Sequence, residues 1–281
     1  MDDRAIVIGA GIGGLTAARV LSRRYSTVTV LDRDTLPHDA SPRRGVPQGA
    51  HPHILLVSGL RELSALFPGF EDELVAVGGT RFDTGTGLCT FRFGRRWSAD
   101  PTGLDLVSVS RPQIEAVLRA RVAGLPGVAI RDQVAVAGLS GQAERVTGVV
   151  LDTGETLDAA LVVDCTGRGS RSDRWLGSLG LPPPAQLEVR VGVTYSTRTY
   201  RRRPGDLGEW QAAFTLPAPP ETAAPETAPP TEAPAPGIPF SINFLVEPGM
   251  EHVALKAATA YQSASKRRVS PPSFPALPGE P

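Results

Sequence analysis

Four short stretches of this chain carry residue types and spacings that could do chemistry. The first is Gly9-Ala10-Gly11-Ile12-Gly13-Gly14, a G-x-G-x-x-G run, with Asp32 lying 18 positions past Gly14. In that spacing Gly9 permits a tight turn, Gly11 lets the backbone approach a pyrophosphate, and Gly14 lets a helix pack close to a sheet. The N-terminus of the following helix then faces the phosphates, and Asp32 can accept both hydroxyls of an adenosine ribose. An acid at that position repels a 2′-phosphate, so the pattern prefers FAD or NAD to NADP. The run alone also describes a plain glycine turn in an α/β protein. The flanking strand, the helix and the acid ending the next strand together supply the context a nucleotide site needs.

The second stretch, "RRGVPQGAHPH" (43–53), is open to three chemistries: a metal site, a phosphate-gripping loop, or a wall of a cofactor pocket. Metal binding by His51 and His53 is disfavoured, because Pro52 separates them and no cysteine or carboxylate nearby completes a ligand set. A second phosphate loop is redundant with the helix start at Gly9–Gly14. The third stretch, "LVVDCTGRGSR" (161–171), puts Asp164 at the carboxyl end of a buried strand, with Gly167 and Gly169 after it. Ligands of open α/β sheets bind outside such strand ends, and Ser170 could cap the next helix. The fourth is Arg111 in "VSRP" (109–112). A cation at a helix start opposes the helix dipole, so an anionic partner explains it better than a solvated charge. No Ser-His-Asp, Cys-His or paired-carboxylate constellation is present.

Those residues need elements to position them. "AIVI" (5–8) and "TVTVLD" (27–32) read as buried strands flanking a helix with apolar residues at Leu15, Ala18 and Leu21, a β-α-β unit of about thirty residues. Apolar positions Leu56, Leu60, Leu63 and Phe67 predict an amphipathic helix over 53–67. "GLCTFRFG" (87–94) alternates as a half-buried strand, and "RPQIEAVLRARVAGL" is a helix with Pro112 in its first turn. "VAIRDQVAVAGLS" and "RVTGVVLDTGETLDA" predict antiparallel strands with a turn at Asp152-Thr153-Gly154, and 187–201 a long alternating strand. This order gives an α/β fold, a Rossmann-like FAD/NAD(P)-binding βαβ domain with a β-rich insertion.

Composition bounds the function. The 281 residues carry no net charge, which gives no push toward nucleic acid or anionic membrane. Two cysteines, Cys89 and Cys165, cannot form a secreted disulfide framework and suit a reducing cytosol. The acidic start and the glycine-broken first apolar run fit neither a signal peptide nor a membrane span, so a cytoplasmic protein is expected. Nine of the 27 prolines fall within 217–239, an extended linker. Both lysines, Lys256 and Lys266, lie beyond it. The expected division is a discontinuous cofactor domain (1–72 and 104–181), a partial β-rich substrate domain (73–103 and 182–216), the linker, and an unassigned tail (240–281).

The segments "VIGAGIGGLTAARVLS", "VTVLDRD", "RRGVPQGAHPHILL", "LVSVSRPQIEAVLRARV", "LVVDCTGRGSRSDRWLGSLG" and "VGVTYSTRTYRR" resemble FAD-dependent monooxygenases of the aromatic-hydroxylase-like family. Among these the chain looks most like actinobacterial polyether flavin epoxidases. The resemblance covers roughly 4–203. It implies FAD on Gly9, Gly11, Gly14 and Asp32, with Arg33 along the adenine, Arg111 at the ribityl-phosphate region, and Asp164 and Gly167 at a strand end beside the cofactor. The 43–53 loop would then flank the FAD site, with Arg43 or Arg44 facing the anionic cofactor and Gln48 and His51 lining the flavin or substrate face. A rigid Pro/Gly connector with solvated arginines is the other reading of that loop.

The implied reaction is transfer of one oxygen atom from O₂ to an alkene or electron-rich ring, with NAD(P)H as transient reductant and no catalytic side chain assigned. The small-molecule substrate and O₂ are the expected partners. Two other functions compete: an FAD-dependent reductase or dehydrogenase on the same fold, and a non-catalytic nucleotide-binding remnant. The resemblance stops near residue 203. The family's later Gly-Asp segment is not matched, because Gly205-Asp206 follows arginines and a proline instead of a buried strand. Hence the expectation of a C-terminally truncated or frameshifted product, or of a completing polypeptide, and of weak FAD binding by the chain alone.

Overall fold

A computed structural model describes residues 3–92, 95–97, 100–143, 145–186, 197 and 210–215. The long strand expected at 187–201, Gly205-Asp206, the proline linker and the 240–281 tail lie outside these residues, apart from Thr197. The chain divides into two compact units. One comprises Met1–Cys89, Trp97–Leu187 and Glu209–Ala213; the other comprises Thr90–Arg96, Glu188–Gly208 and Phe214–Pro281. The site is built in the first.

In chain order the described elements of the chain are β1 (Arg4–Ile8), α1 (Ile12–Leu21), β2 (Thr27–Leu31), β3 (Ile54–Leu55), α2 (Val57–Leu66), α3 (Phe70–Ala76) and β4 (Thr80–Asp83). Next come β5 (Leu88–Arg92), β6 (Arg95–Trp97), β7 (Asp105–Ser108), α4 (Arg111–Ala123), β8 (Val128–Arg131), β9 (Val136–Gln142), β10 (Arg145–Leu151), β11 (Thr156–Asp158), β12 (Leu161–Asp164) and α5 (Ser172–Ser178). A further strand spans Ala212–Thr215.

The central sheet is parallel, in the order β12-β1-β2-β8. Its registers bring Ile8 level with Leu31 on one side and Asp164 on the other. Because strand side chains alternate between faces, the two faces of β1 enter different cores. Ala5 and Val7 join the helical side, with Leu15 and Ala18 of α1 and Ile114, Leu118 and Val122 of α4. Ile6 and Ile8 join Leu31, Val136, Val149, Leu151 and Trp175 on the other side, which the antiparallel sheet β9-β10-β11 and α5 cover. Trp175 fixes that layer by donating its indole N–H to the Ala137 carbonyl at 2.9 Å. The β-α-β unit expected at the N-terminus is therefore present, as is the Rossmann-like α/β architecture.

Two sequence expectations need correction. The helix expected over 53–67 begins only at Val57, because Ile54 and Leu55 pair with Ser108 and Val107 of β7. Pro52 biases its predecessor toward extended backbone, and Leu56, expected on the buried face, caps the helix with 63% of its surface exposed. The second concerns 128–140, expected as one antiparallel segment. Its first part, β8, lies parallel to β2 in the central sheet, and only β9 pairs antiparallel with β10. The turn at Asp152-Thr153-Gly154 is found, joining β10 to β11, with Gly154 at φ 88°.

Candidate functional site

The site grows from the point where β1 ends. Gly9 takes φ 100°, a conformation that favours glycine, and its N–H donates to the Leu31 carbonyl at 2.7 Å. A Cβ there would lie 2.8 Å from the Cys165 carbonyl oxygen, so the turn is pressed against the end of β12. At Gly14 a Cβ would collide with the Gly9 carbonyl, which is how the helix comes so close to the sheet. Gly11 is different: a Cβ there would approach only the Arg43 guanidinium, at 3.8 Å. Gly11 caps α1 without a side-chain hydrogen bond, and no acid occupies the first turn. An uncapped helix start with open glycines suits an anion.

Asp32 follows β2 and is only 6% exposed. One of its carboxylate oxygens accepts the Ala10 N–H at 2.7 Å and the other the Asp34 N–H at 2.9 Å. The Arg43 guanidinium approaches the same carboxylate to 3.2 Å. That arginine also holds Asp34 at 3.0 Å and, through Nε, Glu115 at 3.2 Å. The other oxygen of Glu115 accepts from Arg111 at 2.8 Å. Arg43 and Glu115 are nearly sealed from water, with 8% and 4% of their side chains exposed. Burial works to lower the Arg43 pKa, but the charges of Asp32 and Glu115 outweigh it and raise the value. Beside this row of charges, burial pushes the His53 imidazole below its usual range; Arg111 adds to that shift and Glu115 opposes it.

On the other side of Gly9, Asp164 sits at the end of β12. Its carboxylate accepts from the Thr166 N–H at 2.9 Å and from the Thr166 and Ser170 hydroxyls, both at 2.6 Å. The Ser170 hydroxyl also accepts the Ser172 N–H at 3.1 Å, so Ser170 supports the start of α5 from two residues before it. Gly167 takes φ 65° within this turn. The exposed Arg33 reaches toward the same turn, its guanidinium 3.7 Å from where a Gly169 Cβ would stand.

The fold thus gathers Gly9, Gly11, Gly14, Asp32, Asp164 and Gly167 at the carboxyl end of the parallel sheet, with Arg33 along its rim. Arg43 is the loop arginine drawn into the interior, whereas Arg44 and Gln48 present exposed residues outside the charge row. The anionic partner of Arg111 is Glu115, one helical turn along α4. Sequence reasoning missed Asp34 and Glu115. The signal for Glu115 was present: with Ile114, Leu118 and Val122 it lies on the buried stripe of α4, an unusual place for an unpaired acid.

These residues fit an adenine dinucleotide. The uncapped α1 start and the open Gly11 have the geometry that suits a phosphate, and the Asp32 carboxylate at the β2 end is of the type that accepts a ribose diol; the Asp164 turn lies on the other side of Gly9. Residues 7–51 match the family model described as an NAD(P)-binding Rossmann-like domain. Protein Rv3254 of Mycobacterium tuberculosis is 39% identical over 223 residues, which cover 74% of this chain and 47% of Rv3254. The chain therefore spans about half the length of this relative. A mutant of PqsL from P. aeruginosa is 17% identical, covers 69% of this chain and 51% of that one, and superposes with TM-score 0.52. PqsL of Pseudomonas aeruginosa, described as a probable FAD-dependent monooxygenase, gives TM-score 0.50 at 17% identity, over 69% of this chain and 50% of its own. The likeness to PqsL is one of fold. Among the described residues no helix is long and apolar enough to cross a membrane.

Proposed function

We propose that the chain holds FAD and belongs to an FAD-dependent oxidoreductase of the monooxygenase kind. The observation that carries this reading is the glycine turn at Gly9–Gly14, flanked on both sides by carboxylate-bearing strand ends, Asp32 and Asp164. It is supported by the likeness in fold to PqsL and by the sequence motifs that run well past the first βαβ unit. The α1 N-terminus with Gly9, Gly11 and Gly14 takes the pyrophosphate, and Asp32 the adenosine ribose. Arg33 lies along the adenine, while Asp164 and Gly167 shape the turn on the far side. Arg111, Arg44 and Gln48 stand on the flank where the ribityl chain and the ring would run.

Bound flavin, reduced by NAD(P)H, supplies oxygen transfer from O₂ to a small organic substrate, with an alkene epoxide as the finer assignment. The chain's part is to bind, orient and desolvate. In this reading 1–72 and 104–181 form the cofactor domain, and 73–103 with 182–216 part of a substrate domain, which a further polypeptide segment would complete. The test is to load the purified full chain with FAD and follow NADH and NADPH oxidation under air with alkene and aromatic candidates. An oxygenated product supports the reading. Substrate turnover that persists without O₂ selects a reductase instead, and no flavin-dependent turnover under any condition selects a binding function alone.

A further inference from the structure

We infer that Arg43 is a displaceable latch that makes the Asp32 site selective for nucleotides carrying phosphate over the bare nucleoside. This rests on the dinucleotide reading of the site. A carboxylate offers about four acceptor positions. At Asp32 one oxygen already takes the Ala10 N–H and the other the Asp34 N–H, and the Arg43 guanidinium leans on both oxygens at 3.2 and 3.4 Å. A ribose diol must donate to that same carboxylate, so Arg43 must move away for it to enter. Moving a nearly sealed guanidinium off its carboxylates is costly unless it finds another anion.

The structure places the replacement within reach. Arg43 Nη2 already points to the phosphate side of the glycine turn, 3.8 Å from the position a Gly11 Cβ would take. Its Nε is anchored on Glu115 at 3.2 Å, and Glu115 is itself fixed by Arg111. A turn of the planar guanidinium about its outer torsions carries Nη1 from Asp32 and Asp34 toward the pyrophosphate position; Nε–H turns with it and re-angles its bond to Glu115, so the phosphate replaces the carboxylates as the main partner of Arg43. A nucleoside can displace the latch but gives it no new partner. A nucleotide diphosphate does both, exchanging one charge-assisted pair for another.

The test measures binding of adenosine, ADP and FAD to the full chain and to its Arg43→Met and Arg43→Lys variants by calorimetry or NMR titration. Removing the latch leaves Asp32 open but takes away the phosphate partner. R43M is therefore expected to bind adenosine about 5–10-fold more tightly and ADP about 10-fold more weakly than the wild type. R43K keeps the charge but lacks the fork that spans three carboxylates. It is expected to tighten adenosine several-fold with ADP within about 3-fold of wild type, and it serves if R43M fails to fold by circular dichroism. A structural role alone would weaken all ligands together. Unchanged or weaker adenosine binding in a folded variant, with ADP still bound by the wild type, overturns the latch alone. Failure of the wild type to bind either ADP or FAD overturns the dinucleotide reading and the latch with it.

Discussion

Asp32 and Asp164 stand at the ends of the two strands that flank β1, one on each side of the same glycine, yet they are held in opposite ways. Asp164 is satisfied by its own turn: it accepts from Thr166 and Ser170, both uncharged and within six residues of it. Asp32 is tied to Arg43 and, through it, to Glu115, which is 72 residues from Arg43 in sequence. The first arrangement closes a loop and can form as soon as the loop does. The second assembles only when β2, the 43–53 loop and α4 have docked, and it leaves a cation from a distant segment beside the carboxylate. A strand-end acid with local partners builds the wall of a site; one with a distant cation can be opened by a ligand.

That contrast can be broken at Glu115 with the largest effect. Glu115→Ala strips two nearly buried guanidinium groups of their shared counter-charge and should cost about 3–5 kcal/mol in urea unfolding. Asp164→Ala removes only local hydrogen bonds and should cost about 1–3 kcal/mol, with the α4 side of the fold undisturbed by amide NMR. An equal or larger loss at Asp164 would erase the distinction.

Asp83 extends the local class. Its carboxylate takes the N–H groups of Gly85, Thr86, Thr102 and Gly103, stapling two loops. Partial desolvation pushes its pKa up, but the N–H donors of Thr102, Thr86 and Gly85 pull it well below the usual carboxylate range. The folded value lies below the unfolded one, so its stabilisation is present above the ordinary aspartate value of 3.8 and lost as pH falls below it. Asp83→Asn should therefore flatten the acid limb of the melting temperature against pH while leaving adenine-nucleotide binding unchanged. The smallest effect sits on the long-range side. The His53 imidazole should titrate below 6.5 by NMR, rise toward that value in Arg111→Gln and fall further in Glu115→Gln. The histidine then charges less readily folded than unfolded, and its contribution to stability declines as pH drops through that window.

The same division explains what could be read from the sequence. The βαβ unit, both strand-end acids, the Gly154 turn and the Pro112 helix start each follow from residues within a few positions of one another. Their patterns survive in one dimension. β3 was hidden because two residues cannot show a period, and its pairing with β7 is a tertiary event. β8 and β9 merge in an apolar stretch whose two halves join different sheets, which alternation alone cannot separate. Asp34 and Glu115 escaped notice because their partner, Arg43, comes from another segment. Which of two adjacent arginines turns inward is decided by packing.

The most direct test is an NMR titration of the full chain with ADP, in wild type and Asp32→Ala. ADP is chosen because it carries only the ribose and phosphates that the proposed reading assigns to the β1–α1–β2 end of the site. The account predicts saturable shifts at Ala10 to Gly14 and at Asp32, with affinity falling by at least about 10-fold in the variant. Shifts confined elsewhere, or an affinity indifferent to Asp32, would contradict it.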